Sequence, residues 1–178
     1  MKDGELLKQI RSGDLEAFRK LVEKYQSRAI GFARSLLGDY QAAEDISQEA
    51  FLRVLKSLEN YQECGKFEIY FFLIIKNLCL NHLQKKREKP LLSEEIHPLS
   101  IREVSSVSLE ESSSLIHQAL MKLKEKERIA IFLKESEQLK YSDTAEILGI
   151  TLSDVKVTIH RALKKLKREL ESTWIVEK

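Results

Sequence analysis

Apolar side chains recur along most of this chain at three- and four-residue intervals and nowhere alternate with polar ones, which predicts helices and essentially no sheet. A short helix over residues 5–12 stops at Gly13, and Asp14 caps a long one running to about Leu37. Its inward positions are Leu15, Phe18, Leu21, Val22, Tyr25, Ile30, Ala33, Leu36 and Leu37. Gly38 closes it, and Asp39 caps a third helix from Tyr40 to about Leu58 with Ala43, Ile46, Ala50, Phe51, Val54, Leu55 and Leu58 on one side. The pattern lapses into a loop over Glu59 to Lys66. It resumes in an aromatic-rich helix from Phe67 to Arg87.

In the second half, Ser114 caps a helix to about Leu123 with Leu115, Ile116, Ala119, Leu120 and Leu123 inward. Glu125 to Leu133 forms the next, on Ile129, Ala130, Phe132 and Leu133. Four helices in this half make a small core, yet DNA-binding domains of that size fold alone. Tyr141 to Leu170 then reads as two helices joined by a tight turn. Ala145, Ile147 and Leu148 point inward on the first, Gly149 supplies the left-handed residue at the turn, and Thr151 or Ser153 caps the second. The second helix carries an apolar stripe of Val155, Ile159, Ala162, Leu163 and Leu166, with Lys156, His160, Lys164 and Lys167 opposite. From Val155 to Arg168 there is no acidic residue, while Lys156, Arg161, Lys164, Lys165, Lys167 and Arg168 are basic. Such a face suits the phosphate-lined major groove. A solvated basic face on an ordinary amphipathic helix has the same composition. Helix-turn-helix spacing with glycine at the turn favours DNA.

Charge sharpens this division. The net charge of +2 over 178 residues is too small to announce a nucleic-acid binder, but its distribution is uneven: +2 over 1–88, −3 over 89–113 and +3 over 114–178. The middle segment holds both prolines, Pro90 and Pro98, and a run of serines, so it reads as a flexible acidic linker between two folded parts. Cys64 and Cys79 form no metal-binding spacing, and two reduced thiols describe them better than a redox pair. The amino terminus lacks the apolar core of a signal peptide, and the longest apolar run, Ile69 to Ile75, is far too short for a bilayer, so the expectation is a cytoplasmic protein without membrane insertion. The four histidines stand in four separate segments and no nucleotide-binding or hydrolase motif occurs, so neither an enzyme nor a metal or cofactor site is expected.

Two further stretches carry candidate chemistry. Between Ile69 and Arg87 there is again no acid, and Lys76, Lys85, Lys86 and Arg87 are interleaved with Asn77, Asn81, His82 and Gln84, a set able to hold phosphate and exposed bases. On these residues alone, an aromatic core followed by a basic helix end favoured by the dipole is the simpler account. The third helix is acidic in its first half and basic in its last, which the dipole also explains.

The segments GDLEAFRKLVEKYQSRAIGFARSLLGD, QAAEDISQEAFLRVLKSLENY and KFEIYFFLIIKNLCLNHLQKKR resemble region 2 of the extracytoplasmic-function group of sigma-70 factors. ALMKLKEKERIAIFLKESEQLKYSDTAEILGITLSDVKVTIHRALKKLKREL resembles its region 4. The resemblance implies an all-α protein of two small helical domains, region 2 over 1–88 and region 4 over 114–178, joined by the 89–113 linker. It further implies that Asp45, Gln48, Glu49, Phe51 and Arg53 dock on core RNA polymerase. Lys76, Asn77, Asn81, Gln84, Lys85 and Arg87, with the loop near Gln62 to Phe67, would melt and hold the minus-10 element of promoter DNA. Ser153, Lys156, His160, Arg161 and Lys164 would read the minus-35 element, and the linker would follow the polymerase RNA exit path.

An anti-sigma factor as inhibitory partner and a role in a stress response are implied in the same way, with no cofactor. A 25-residue linker spans about 25–30 Å as a coil and at most about 80–90 Å, so one molecule reaches both elements only when polymerase orders it. Free protein should therefore bind promoters poorly. Tyr70 stands where the family often has tryptophan, Asp154 where threonine is frequent, and Lys124 and Glu125 where proline is frequent. A response regulator would need a strand-and-helix receiver, and an adaptor has no use for two acid-free basic faces.

Overall fold

The computed structural model describes residues 2–58, 66–88 and 115–176, all helices and the turns between them. The linker 89–113, Cys64 and the Ser114 cap lie outside the described residues. In chain order the elements are α1 (Asp3–Arg11), α2 (Leu15–Leu37), α3 (Tyr40–Ser57), α4 (Phe67–Glu88), α5 (115–121), α6 (Glu125–Ile131), α7 (Tyr141–Leu148) and α8 (Leu152–Val176). A π-helical turn, Phe132–Ser136, follows α6. Among the described residues there is no strand.

The helix boundaries follow from side-chain chemistry. The Asp14 carboxylate accepts from the backbone N–H groups of Glu16 and Ala17 at 2.9 and 3.1 Å, and Asp39 accepts from those of Gln41 and Ala42 at 2.9 and 3.2 Å. Each satisfies donors that the first turn leaves open. Gly38 ends α2 at φ +74°, a left-handed conformation that a β-carbon would strain.

The first half is built on aromatic packing. The Tyr25 ring meets Phe67 and Phe71 edge-on at 5.3 and 5.4 Å between centroids, Phe51 lies 4.8 Å from Phe71, and Phe32 lies 5.2 Å from Phe72. This core does not end with α4. Ile129, Leu133, Leu139 and Ile147 of the second half belong to the same cluster, and the Phe132 ring sits 5.3 Å from Phe32. What the second half keeps to itself is small: Ala130, Ala145, Val155 and Ile159 in one group, Leu123, Ile131 and Ala162 in another.

Polar groups join the halves as well. Arg28 pairs with Glu68 of α4 and with Glu137 beyond the π-helical turn. The buried Arg128 guanidinium donates to the carbonyls of Leu123 at 2.6 Å, Met121 at 3.2 Å and, across the joint, Leu36 at 3.1 Å.

Four expected core positions are exposed: Leu15, Leu55, Ile116 and Leu163. Leu15 is the first residue of its helix, and Leu163 lies about 80° around α8 from Val155 at roughly 100° per residue, outside the buried stripe. The helix expected to reach Leu133 ends at Ile131, because the chain widens into the π-helical turn that presents Phe132 to α2.

Candidate nucleic-acid interface

The turn between α7 and α8 forms as its residues require. Gly149 takes φ +66°, and its neighbour Ile150 donates its N–H back to Ala145 at 3.1 Å. Thr151, not Ser153, caps α8: its hydroxyl accepts from the Asp154 N–H at 3.1 Å and donates to the Asp154 carboxylate at 2.8 Å. Asp154 is thereby occupied in capping.

Val155, Ile159 and Ala162 bury the inner stripe of α8, so the outer face presents Ser153, Lys156, His160, Arg161 and Lys164, all exposed. Lys156 holds its ammonium 5.8 Å from the centre of the Tyr141 ring, which lends the basic face an aromatic flank. Nothing in the spacing of the sequence marks Tyr141 for this place. Lys165 turns the other way and meets Glu127 at 2.6 Å, anchoring α8 to the start of α6. Lys167 lies 3.7 Å from Glu171.

On α4 the candidates divide between two faces. Asn77, Asn81, Gln84 and Lys85 recur at helical spacing and are exposed, with Gln84 donating to Glu88 at 2.8 Å. Lys76 and Arg87, eleven residues or about three turns apart, share another side, and that side meets the second half. The Lys76 ammonium donates to the Ile147 carbonyl at 2.6 Å, and burial lowers its pKa. Arg87 pairs with Glu125. Lys66, just before α4, meets the largely buried Asp143 at 2.5 Å, and this hydrogen bond raises its pKa. Tyr70 turns its hydroxyl to Ser57 at 2.8 Å, so it is tied to the α3 end of the bundle.

On α3, Asp45, Gln48, Glu49 and Arg53 are exposed, and Arg53 donates to Glu49 at 2.8 Å, holding that carboxyl below its ordinary range. Phe51 departs from this set. It is 6% exposed between Phe18 and Phe71 and serves the core. Leu52, half exposed on the same helix, adds an apolar side chain to that surface; its only signal in the sequence is that it breaks the inward spacing. Among the described residues no group of His, Cys, Asp and Glu could hold a metal, and no helix is long and apolar enough to cross a membrane. Cys79 is fully buried and its thiol is pushed up to about 12 by desolvation, so it is an inert core residue.

Residues 21–89 match Sigma-70 region 2, and residues 113–166 match Sigma-70, region 4. The ECF RNA polymerase sigma factor SigW of Bacillus subtilis is 31% identical over 177 residues, covering 92% of this chain and 94% of its own. The chain belongs to the extracytoplasmic-function sigma-70 family. It is thus a promoter-recognising RNA polymerase sigma factor, a transcription initiation factor. The fold of this sigma factor is similar to that in a structure of CnrH in complex with the cytosolic domain of CnrY, with a TM-score of 0.74, 22% identity and coverage of 96% and 97% of the two chains. It is also similar to RpoE in complex with the anti-sigma factor NepR from Bartonella quintana, with a TM-score of 0.69, 24% identity and coverage of 86% and 96%.

Proposed function

We propose that this sigma factor divides promoter recognition between its two basic helices, with residues 1–88 and 114–178 acting as separate domains once bound to polymerase. The α8 face of Ser153, Lys156, His160, Arg161 and Lys164 reads the minus-35 duplex. The α4 face of Asn77, Asn81, Gln84 and Lys85, joined by Lys76 and Arg87, holds the melted minus-10 strand. The observation that carries this reading is the joint exposure of five polar and basic side chains on one face of a helix that follows a glycine turn. Exposed Asp45, Gln48, Glu49 and Arg53 on α3 form the polymerase-docking patch, with Phe51 supporting it from beneath.

The protein acts in the cytoplasm, without catalytic activity of its own, and is held in check by an anti-sigma factor. The complexes in which its structural relatives are found support that last assignment.

Run-off transcription from a promoter library by sigma-free core polymerase tests the whole reading. Addition of the protein is expected to create new start sites that share two spaced motifs, and an unchanged set of starts would refute it. Asp45→Arg with Gln48→Ala is expected to abolish association with core polymerase in a pull-down, and retained association would remove the α3 patch from the mechanism.

A further inference from the structure

Among the described residues of α8 the exposed large apolar side chains are Leu152, Val157 and Leu163, and they do not stand alike. At roughly 100° per residue, Leu152 and Leu163 fall about 50° and 70° from the midline of the buried stripe of Val155, Ile159 and Ala162, so they are its shoulders. Val157 lies about 170° from that midline and points straight away from the core. It is 43% exposed and belongs to none of the buried clusters.

Its neighbours on the helix surface are polar. Ser153, His160, Arg161 and Lys164, all exposed, fall within about 60° of it, so the valine occupies the centre of the outer face and these groups ring it. The Asp154 carboxylate, on the same side, is taken up by the Thr151 hydroxyl at 2.8 Å. What the centre of the face presents is therefore carbon. Helix stability gives no reason for it, because a β-branched side chain loses rotamer freedom against the preceding turn.

In a major groove, the side chains farthest from the helix's own core are the ones that meet base edges. Adenine, guanine and cytosine offer nitrogen or oxygen groups there, and a valine set against them removes water without supplying a hydrogen bond. Thymine also offers a C5-methyl group. We propose that Val157 is a specificity-determining residue of this sigma factor, selecting a thymine in the minus-35 duplex through contact with that methyl. The inference deepens, and rests on, the reading of α8 as the minus-35 helix.

The test uses the complex of the full chain with core polymerase and a promoter from the run-off library. Each thymine of the minus-35 duplex, on either strand, is replaced in turn by deoxyuridine, which removes the methyl and nothing else, and binding is measured by competition. One replacement is expected to weaken wild-type binding about fourfold, the value of one buried methyl group. Val157→Ala should weaken binding to the thymine promoter by a similar factor and make thymine and uracil equivalent at that position, because both changes delete the same contact and their effects do not add. Leu163→Ala, on the shoulder of the stripe, should leave the uracil sensitivity as it is.

Uracil sensitivity that is absent at every position, that persists in Val157→Ala, or that Leu163→Ala erases equally would overturn the proposal. The underlying reading is judged separately by Lys156→Ala with Arg161→Ala: unchanged promoter binding there would remove α8 from the minus-35 contact altogether, whereas weakened binding with no role for Val157 would strike the valine alone.

Discussion

The two basic helices α4 and α8 have nearly the same chemistry, acid-free stretches with interleaved amides or hydroxyls, yet the fold treats them differently. The outward face of α8 is open along Ser153, Lys156, His160, Arg161 and Lys164. On α4, Lys76 and Arg87 are already engaged by the second half. The cores differ in the opposite sense. The first half packs Tyr25, Phe32, Phe51, Phe67, Phe71 and Phe72 together, whereas the second half's own groups are two small aliphatic sets, and Ile129, Leu133, Leu139 and Ile147 join the neighbour's core instead. The half with the more open basic helix face is therefore the one that leans on its partner for burial. A buried face must be filled from somewhere, and polar residues spent on an exposed face are not available for a core.

The largest effect that probes this asymmetry is expected from Phe71→Ala. The ring is fully buried among other rings, and its loss should cost about 3–5 kcal/mol. Because the core is shared, urea unfolding followed by circular dichroism and hydrogen exchange in α8 should move together. Exchange in α8 that stays unchanged would show the second half to be independent. Ile147→Ala, also fully buried, should cost about 3 kcal/mol and loosen α7 from α4, so that exchange in α7 rises more than in α2. A uniform loss would break the idea that this residue belongs to the joint.

A smaller effect concerns the open face. Lys156→Ala with Arg161→Ala should weaken promoter binding by the polymerase complex about tenfold and reduce its salt slope by about 2, with polymerase association intact. Lost association would mean that α8 serves the enzyme instead of the DNA. Smallest is Asp39→Ala, which should cost about 1 kcal/mol by leaving the Gln41 and Ala42 N–H groups without their cap, measured as a lower denaturant midpoint. A cost of this size is expected whether the chain is open or closed, so it calibrates the other three.

Much of this architecture is legible in the order of residues. Asp14, Gly38, Asp39 and Gly149 mark helix ends because capping and left-handed backbone are local chemistry, settled within a few residues. Lys156, His160 and Lys164 are legible as an outer face of α8 because a 3.6-residue period sorts one helix into two faces, whereas Ser153 and Arg161 join that set through the family resemblance. Which partner encloses a side chain is decided outside the helix. The period already sets Phe51 on the inward side of α3 while the resemblance groups it with Asp45, Gln48, Glu49 and Arg53, and it is Phe18 and Phe71 that enclose it. Arg128 ends a charged run, Lys124 to Glu127, with no sign in the sequence that its guanidinium spans the joint to Leu36.

Helix positions, caps, the turn and the basic faces are thus properties of the amino-acid sequence by itself, because each depends on contacts a few residues apart. That α4 has two faces of different availability, that Ile129, Leu133, Leu139 and Ile147 of the second half are buried in the core of the first, and that Asp143 meets Lys66 belong to the tertiary structure alone. These pairs are separated by many tens of residues, and no local period encodes which surfaces meet. Burial of shared apolar area and the pairing of opposite charges at the joint select them only once the helices exist.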